Sequence, residues 1–253
     1  MTQADSQQRA RIIEEVLRAS PVMPVVTIQD AASAPDLARA FVRGGIRVIE
    51  VTLRTPVALQ AIERIAAEVP EIRVGAGTVV SIADLHAAAN AGASFAISPG
   101  ATPTLLAGGA SGPIPYLPAV ATASELMAGI AAGYRFFKFF PAAAAGGIPL
   151  LKALAGPFPE ARFCPTGGIS QETAPPYLEL PNVLCVGGSW LTPADALTRH
   201  DWDRVQQLAA ELVQLAPAAA GCPGRDDGGG EDGECEGADQ ALLHRLNLLG
   251  GAR

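Results

Sequence analysis

Eight short runs of β-branched and apolar residues recur along the chain, and their spacing limits its folds more than any other feature. They begin near Val22, Ile46, Ile72, Ser94, Ile114, Arg135, Arg162 and Val183, roughly 20 to 27 residues apart, with Ala- and Leu-rich stretches of helical period between them. Strands alternating with helices build parallel sheets, because each return to the start of the next strand needs a crossover. Eight such units, preceded by an amphipathic helix over roughly residues 6–19, predict an α/β fold of the (β/α)8 TIM-barrel type. A doubly wound open sheet is the alternative. The polar residues favour the barrel: they stand at the C-terminal ends of runs two, three, six, seven and eight, which converge in a closed barrel but scatter across an open sheet.

A length of 253 residues suits one large barrel domain better than two small ones, and 49% hydrophobic residues supply its core. The expected body spans residues 1–216 and ends on a helix from Trp202 to Leu215. Residues 217–240 read as a disordered acidic Gly-rich linker carrying net −6, and 241–253 as a short amphipathic helix carrying net +2. The body is then left at −3 of the total −7, so a nucleic-acid partner has no basic surface to bind. The N-terminal segment lacks the apolar stretch of a signal peptide, and no apolar run has the length of a membrane span, so a cytoplasmic protein is expected. Cys164, Cys185, Cys222 and Cys235 lack metal-ligand spacing and read as free thiols. His86, His200 and His244 fall in or near predicted helices, away from the strand ends, so neither a His-rich metal site nor a Ser-His-Asp triad is expected.

Two residues stand out chemically. The chain has two lysines; Lys152 reads as a solvated helix residue, whereas Lys138 sits inside Phe136-Phe137-Lys138-Phe139-Phe140. An unpaired ammonium there is costly to desolvate, which lowers its pKa and favours the neutral amine that attacks a carbonyl; a lysine snorkelling from the rim is the alternative. Phe140 shares the face of Lys138. Glu50, within a β-branched run, reads either as a proton relay at the barrel axis or as a structural partner of an arginine. Arg54, just beyond, suits a substrate carboxylate or a pairing with Glu50.

Gly75-Ala76-Gly77-Thr78 lacks the third glycine of a dinucleotide fingerprint and leaves Thr78 as a candidate hydrogen-bond donor. Thr166-Gly167-Gly168 and Gly187-Gly188-Ser189 follow the last two runs, where exposed backbone N–H groups of a barrel commonly cradle a phosphate; simple turn glycines are the alternative.

These strings resemble the class I 2-keto-3-deoxy-6-phosphogluconate (KDPG) and 4-hydroxy-2-oxoglutarate (KHG) aldolases. The resemblance covers roughly residues 10–215 and rests on Val48 to Thr55, Val74 to Val79, Phe95 to Gly100, Phe137 to Ala142, Arg162 to Ile169 and Gly187 to Trp190. It implies a metal-independent carbon–carbon lyase that needs no cofactor, takes a phosphorylated keto acid and forms a homotrimer of barrels. In that family's pattern Lys138 forms the Schiff base, Glu50 is the acid/base, Arg54 and Thr78 bind the pyruvyl carboxylate, and the Thr166 and Ser189 loops bind the phosphate. The same chemistry on the epimeric phosphogalactonate, or a non-catalytic phosphosugar-binding barrel, are the alternatives. Ala142 to Ala145 stand where the family commonly carries Glu and Asn, and Ala119 and Ala121 where it usually has Gly and Ser. Both changes fall on loops at the mouth, where they bear on substrate preference.

Overall fold

Residues 3–213 are described by the computed structural model, and they alternate as the spacing requires. Helix α1 (Gln3–Arg18) leads into β1 (Val22–Val26), a short 3-10 turn (Ala31–Ser33) and α2 (Ala34–Arg43). There follow β2 (Val48–Thr52), α3 (Ala58–Glu68), β3 (Arg73–Gly77), α4 (Ile82–Asn90), β4 (Phe95–Ile97) and α5 (Pro103–Ser111). The second half holds β5 (Tyr116–Leu117), β6 (Ala119–Val120), α6 (Ala123–Ala131), β7 (Phe136–Phe139), α7 (Gly147–Ala155) and β8 (Arg162–Pro165). It ends with α8 (Pro175–Leu178), β9 (Val186–Gly188), α9 (Ala194–Arg199) and α10 (Trp202–Val213). The expected linker at 217–240, the terminal helix at 241–253, Cys222, Cys235 and His244 lie outside the described residues.

Every strand pairing is parallel, in two sheets ordered β5-β4-β3-β2-β1-β9 and β6-β7-β8. The result is an α/β fold whose sheet curls as in a TIM-like barrel. The fifth run extends to Val120, and Pro118 divides it into β5 and β6 because proline has no N–H for the ladder. The Pro118 carbonyl still accepts from the Lys138 N–H at 2.9 Å. At the other junction, isolated bridges join Phe163 to Val183 and Thr166 to Gly187.

Alternation along the strands separates two apolar layers. One face packs Ile49, Val51, Val74, Ala76, Phe137 and Phe139 against the surrounding helices. The other gathers Met23, Val48, Phe95, Ile97, Leu117, Cys164 and Cys185 with Ile13, Val16 and Leu17 of α1. Helix α1 therefore floors the strand assembly at its N-terminal end. Arg9 holds it there by donating to the carbonyls of Gly112 and Ile114, and Arg73 pairs with Glu15 at 3.2 Å. Helix starts are set locally: Ser81 and Thr102 accept from the N–H three residues on, and Thr122 and Glu125 form a capping box. Among the described residues no helix is long and apolar enough to cross a membrane.

Candidate active site

The inward face of β2 carries Val48, Glu50 and Thr52, and that of β7 carries Phe136 and Lys138. Below them lies the apolar floor; above them is the C-terminal mouth. Glu50 and Lys138 meet across the interior, with Nζ 3.0 Å from Oε1 and 3.3 Å from Oε2. Their exposures are 1% and 5%, so the pair is screened from bulk water. This corrects the expectation of an unpaired ammonium: the cost of burying Lys138 is met by Glu50, and Glu50 uses this lysine rather than an arginine. Flanking phenylalanines do not all surround the amine, since Phe137 and Phe139 face the helices. Phe140 does, its ring centroid 5.5 Å from Nζ.

Room for the carboxylate comes from β3. A Cβ on Gly77 would lie 2.1 Å from Glu50 Oε1, so the second glycine of Gly75-Ala76-Gly77 is a notch that the carboxylate fills. The next residue, Thr78, is one of two non-glycine residues among those described with positive φ, at 60°. That sterically costly conformation turns the chain out of the strand and presents the hydroxyl at the mouth. Arg54 Nε donates to Thr78 Oγ1 at 3.2 Å, leaving the threonine hydrogen and the remaining guanidinium N–H groups available for an anion. Arg54 is exposed and Thr78 half-buried.

The candidate phosphate loops lie next to the same mouth. Thr166 is buried, its N–H donating to the Phe139 carbonyl at 2.9 Å and its hydroxyl to the Cys164 carbonyl at 3.4 Å. Gly167 and Gly168 have φ of 101° and 73°, so both are turn glycines by conformation as well as candidate donors. A Cβ on Gly167 would stand 3.3 Å from the Phe140 ring, so that ring joins the amine to this loop. Ala142 and Ala143 donate backbone N–H bonds to the carbonyls of Thr166 (2.8 Å) and Gly167 (3.0 Å), so the alanine loop is anchored through its main chain. Across the junction, Gly187 leaves space for Thr166, whose Oγ1 would be 2.2 Å from an added Cβ. Gly188 ends β9, and Ser189 is exposed in a turn closed by Thr192, whose N–H donates to the Ser189 carbonyl at 3.2 Å. A continuous series of contacts and chain neighbours thus runs from Arg54 and Thr78 through Gly77, Glu50, Lys138, Phe140 and Thr166 to Gly187, Gly188 and Ser189.

Some of the mouth is not visible in the motifs. Thr27 and Thr52 face each other at 2.9 Å between hydroxyls, above Glu50; the signal for them is only their inward register. Cys164, in register with Lys138 on the adjoining strand, and Cys185 are free and buried. A hydrogen bond between their sulfurs pulls the Cys164 thiol below its ordinary pKa and, together with burial, pushes Cys185 well above it. Lys152 is exposed on α7, and among the described residues no group of three or more His, Cys, Asp or Glu could hold a metal ion.

Similarity to known proteins extends over nearly all of the described residues. The family described as "KDPG and KHG aldolase" matches residues 13–208. A KHG/KDPG aldolase of Escherichia coli (strain K12) is 53% identical over 203 residues, 80% of this chain and 95% of that protein. A 2-dehydro-3-deoxy-phosphogluconate aldolase of Dickeya dadantii is 54% identical over 205 residues, 81% of this chain and 96% of its own. Among solved structures, KDPG aldolase of Legionella pneumophila, with pyruvate captured as a covalent carbinolamine, is 51% identical with a TM-score of 0.78, over 79% of this chain and 97% of that one. The Zymomonas mobilis enzyme with 3-phosphoglycerate is 48% identical, also at 0.78, over 83% and 99%. The chain belongs to the KDPG and KHG aldolase family.

Proposed function

We propose that the chain is a class I aldolase that cleaves KDPG to pyruvate and glyceraldehyde 3-phosphate, and KHG to pyruvate and glyoxylate. The observation that carries this is the buried Lys138–Glu50 pair at 3.0 Å, facing the mouth. Proton transfer within the pair gives a neutral amine and a carboxylic acid. The amine attacks the C2 ketone, and Glu50 returns the proton to the departing hydroxyl, so that water leaves and a protonated imine remains. Glu50, again a carboxylate, takes the C4 hydroxyl proton. The electrons of the C3–C4 bond then flow into the imine, the aldehyde leaves, and an enamine remains. Protonation at C3 and addition of water to the imine release pyruvate and regenerate the amine. The imine is the electron sink, so the scheme draws on no metal or cofactor.

Arg54 and Thr78 hold the pyruvyl carboxylate, the Phe140 ring packs against the substrate, and Gly167, Gly168, Gly188 and Ser189 bind the distal phosphate, with Thr166 supporting the loop. The two sheets form one closed eight-stranded barrel, a reading supported by the Pro118–Lys138 hydrogen bond at one junction and the two bridges at the other. A cytoplasmic homotrimer is the assembly that the family resemblance favours.

Incubation with pyruvate and borohydride tests this reading. The imine should be reduced to a secondary amine, adding a pyruvate-derived mass to the peptide that contains Lys138. Lys138→Arg keeps the charge but removes the nucleophile, so trapping and turnover should both vanish. Trapping at Lys152, or full turnover by Lys138→Arg, overturns the mechanism. Binding of KDPG without cleavage by the native protein points instead to a non-catalytic barrel, and cleavage of only the C4 epimer to a phosphogalactonate aldolase.

A further inference from the structure

Building on the aldolase reading, on which this assignment rests, we propose that Thr27 reads the C5 hydroxyl of the sugar-acid substrate and so sets the preference for KDPG over KHG. Sheet order places β1 between β2 and β9. A substrate with its carboxylate over β2 and β3 and its phosphate at the β8 and β9 loops passes its middle carbons over the end of β1. Val25 is in register with Glu50, so Thr27 stands level with Thr52, one inward layer nearer the mouth. Two residues along a strand span about 6.6 Å, so Thr27 and Thr52 stand one layer beyond Glu50, on the way from it to the phosphate loops. C5 is the next carbon on that path.

Hydrogen-bond polarity then defines what Thr27 can recognise. Thr52 is fully buried, and its hydroxyl donates to the Val26 carbonyl at 3.1 Å. A hydroxyl carries one hydrogen, so the 2.9 Å contact between the two threonines uses the hydrogen of Thr27. Thr27, which is only half-buried, is left with lone pairs facing the mouth. Such an oxygen accepts from an O–H and repels an anion. KDPG offers it a hydroxyl at C5; KHG has a carboxylate there.

The test is kcat/KM for KDPG, its 5-deoxy analogue and KHG, in the native protein and in Thr27→Val and Thr27→Ser. Thr27→Val should lower kcat/KM on KDPG about three- to tenfold, the worth of one hydrogen bond. The same variant should be no worse than the native protein on the 5-deoxy analogue, and the ratio of KDPG to KHG should fall accordingly. Thr27→Ser, which keeps the oxygen, should restore the ratio. Equal losses on all three substrates, or no loss on KDPG, overturn the assignment while leaving the aldolase reading standing. Absence of turnover and of imine trapping in the native protein removes both.

Discussion

Gly77 has no side chain, yet the position of the acid/base candidate depends on it. With a Cβ 2.1 Å from Glu50 Oε1, Gly77→Ala must push the carboxylate away from Lys138, and displacement of a reacting group by about 1 Å can cost on the order of 100-fold in rate. Turnover of Gly77→Ala should therefore fall by about that factor, with slower borohydride trapping, while circular dichroism keeps its native form. Full activity would show that the carboxylate has room to spare. Lys138, Glu50 and Arg54 are legible in the sequence because charges are conspicuous inside apolar runs. Gly77, Gly187 and the Thr27–Thr52 pair are not, since their roles depend on which side chain the neighbouring strand presents. The lysine's partner is illegible for the same reason: 88 positions separate Glu50 from Lys138, and only the way the two sheets face each other brings them together.

At the level of elements, the eight runs are legible because period-two apolar patterning and helical periodicity alternate cleanly, and the observed strands begin within three residues of the expected starts. Pro118 is the exception, since a proline that interrupts a ladder while leaving the chain's path intact has the same sequence signature as one that ends a strand. Amphipathicity announces α1 but not what its apolar face covers. Leu17 of that helix is wholly buried in the inner cluster, so Leu17→Ala should cost about 2–5 kcal/mol and lower the thermal midpoint. Because the floor lies away from the mouth, turnover per folded molecule at 25 °C should hold. A parallel collapse of activity in fully folded protein would mean that the floor also sets the height of the lysine.

The whole molecule's fold class is legible from repetition, because few topologies accommodate so many consecutive βα units. Its response to pH is written in contacts rather than in motifs. Tyr116 is buried with its hydroxyl 2.5 Å from Ser98, and burial pushes its pKa up to about 12 against an unfolded value near 10, the Ser98 hydrogen bond offsetting only part of the shift. Tyr134, whose hydroxyl donates to the Leu106 carbonyl at 2.8 Å, is likewise raised by burial. The folded state holds these protons more tightly, so their contribution is intact below pH 10 and is lost as pH climbs through about 10 to 12. Urea midpoints measured at pH 9 and 11 should show that loss, and replacing both tyrosines with Phe should flatten it; an unchanged slope would place the alkaline weakness elsewhere. Helix α1 also bears on traffic. With one end of the strand assembly floored by Ile13, Val16 and Leu17, the Lys138–Glu50 pair faces the opposite, C-terminal mouth. In the proposed reaction the aldehyde would leave, and the water that frees the pyruvyl group would arrive, through that same mouth.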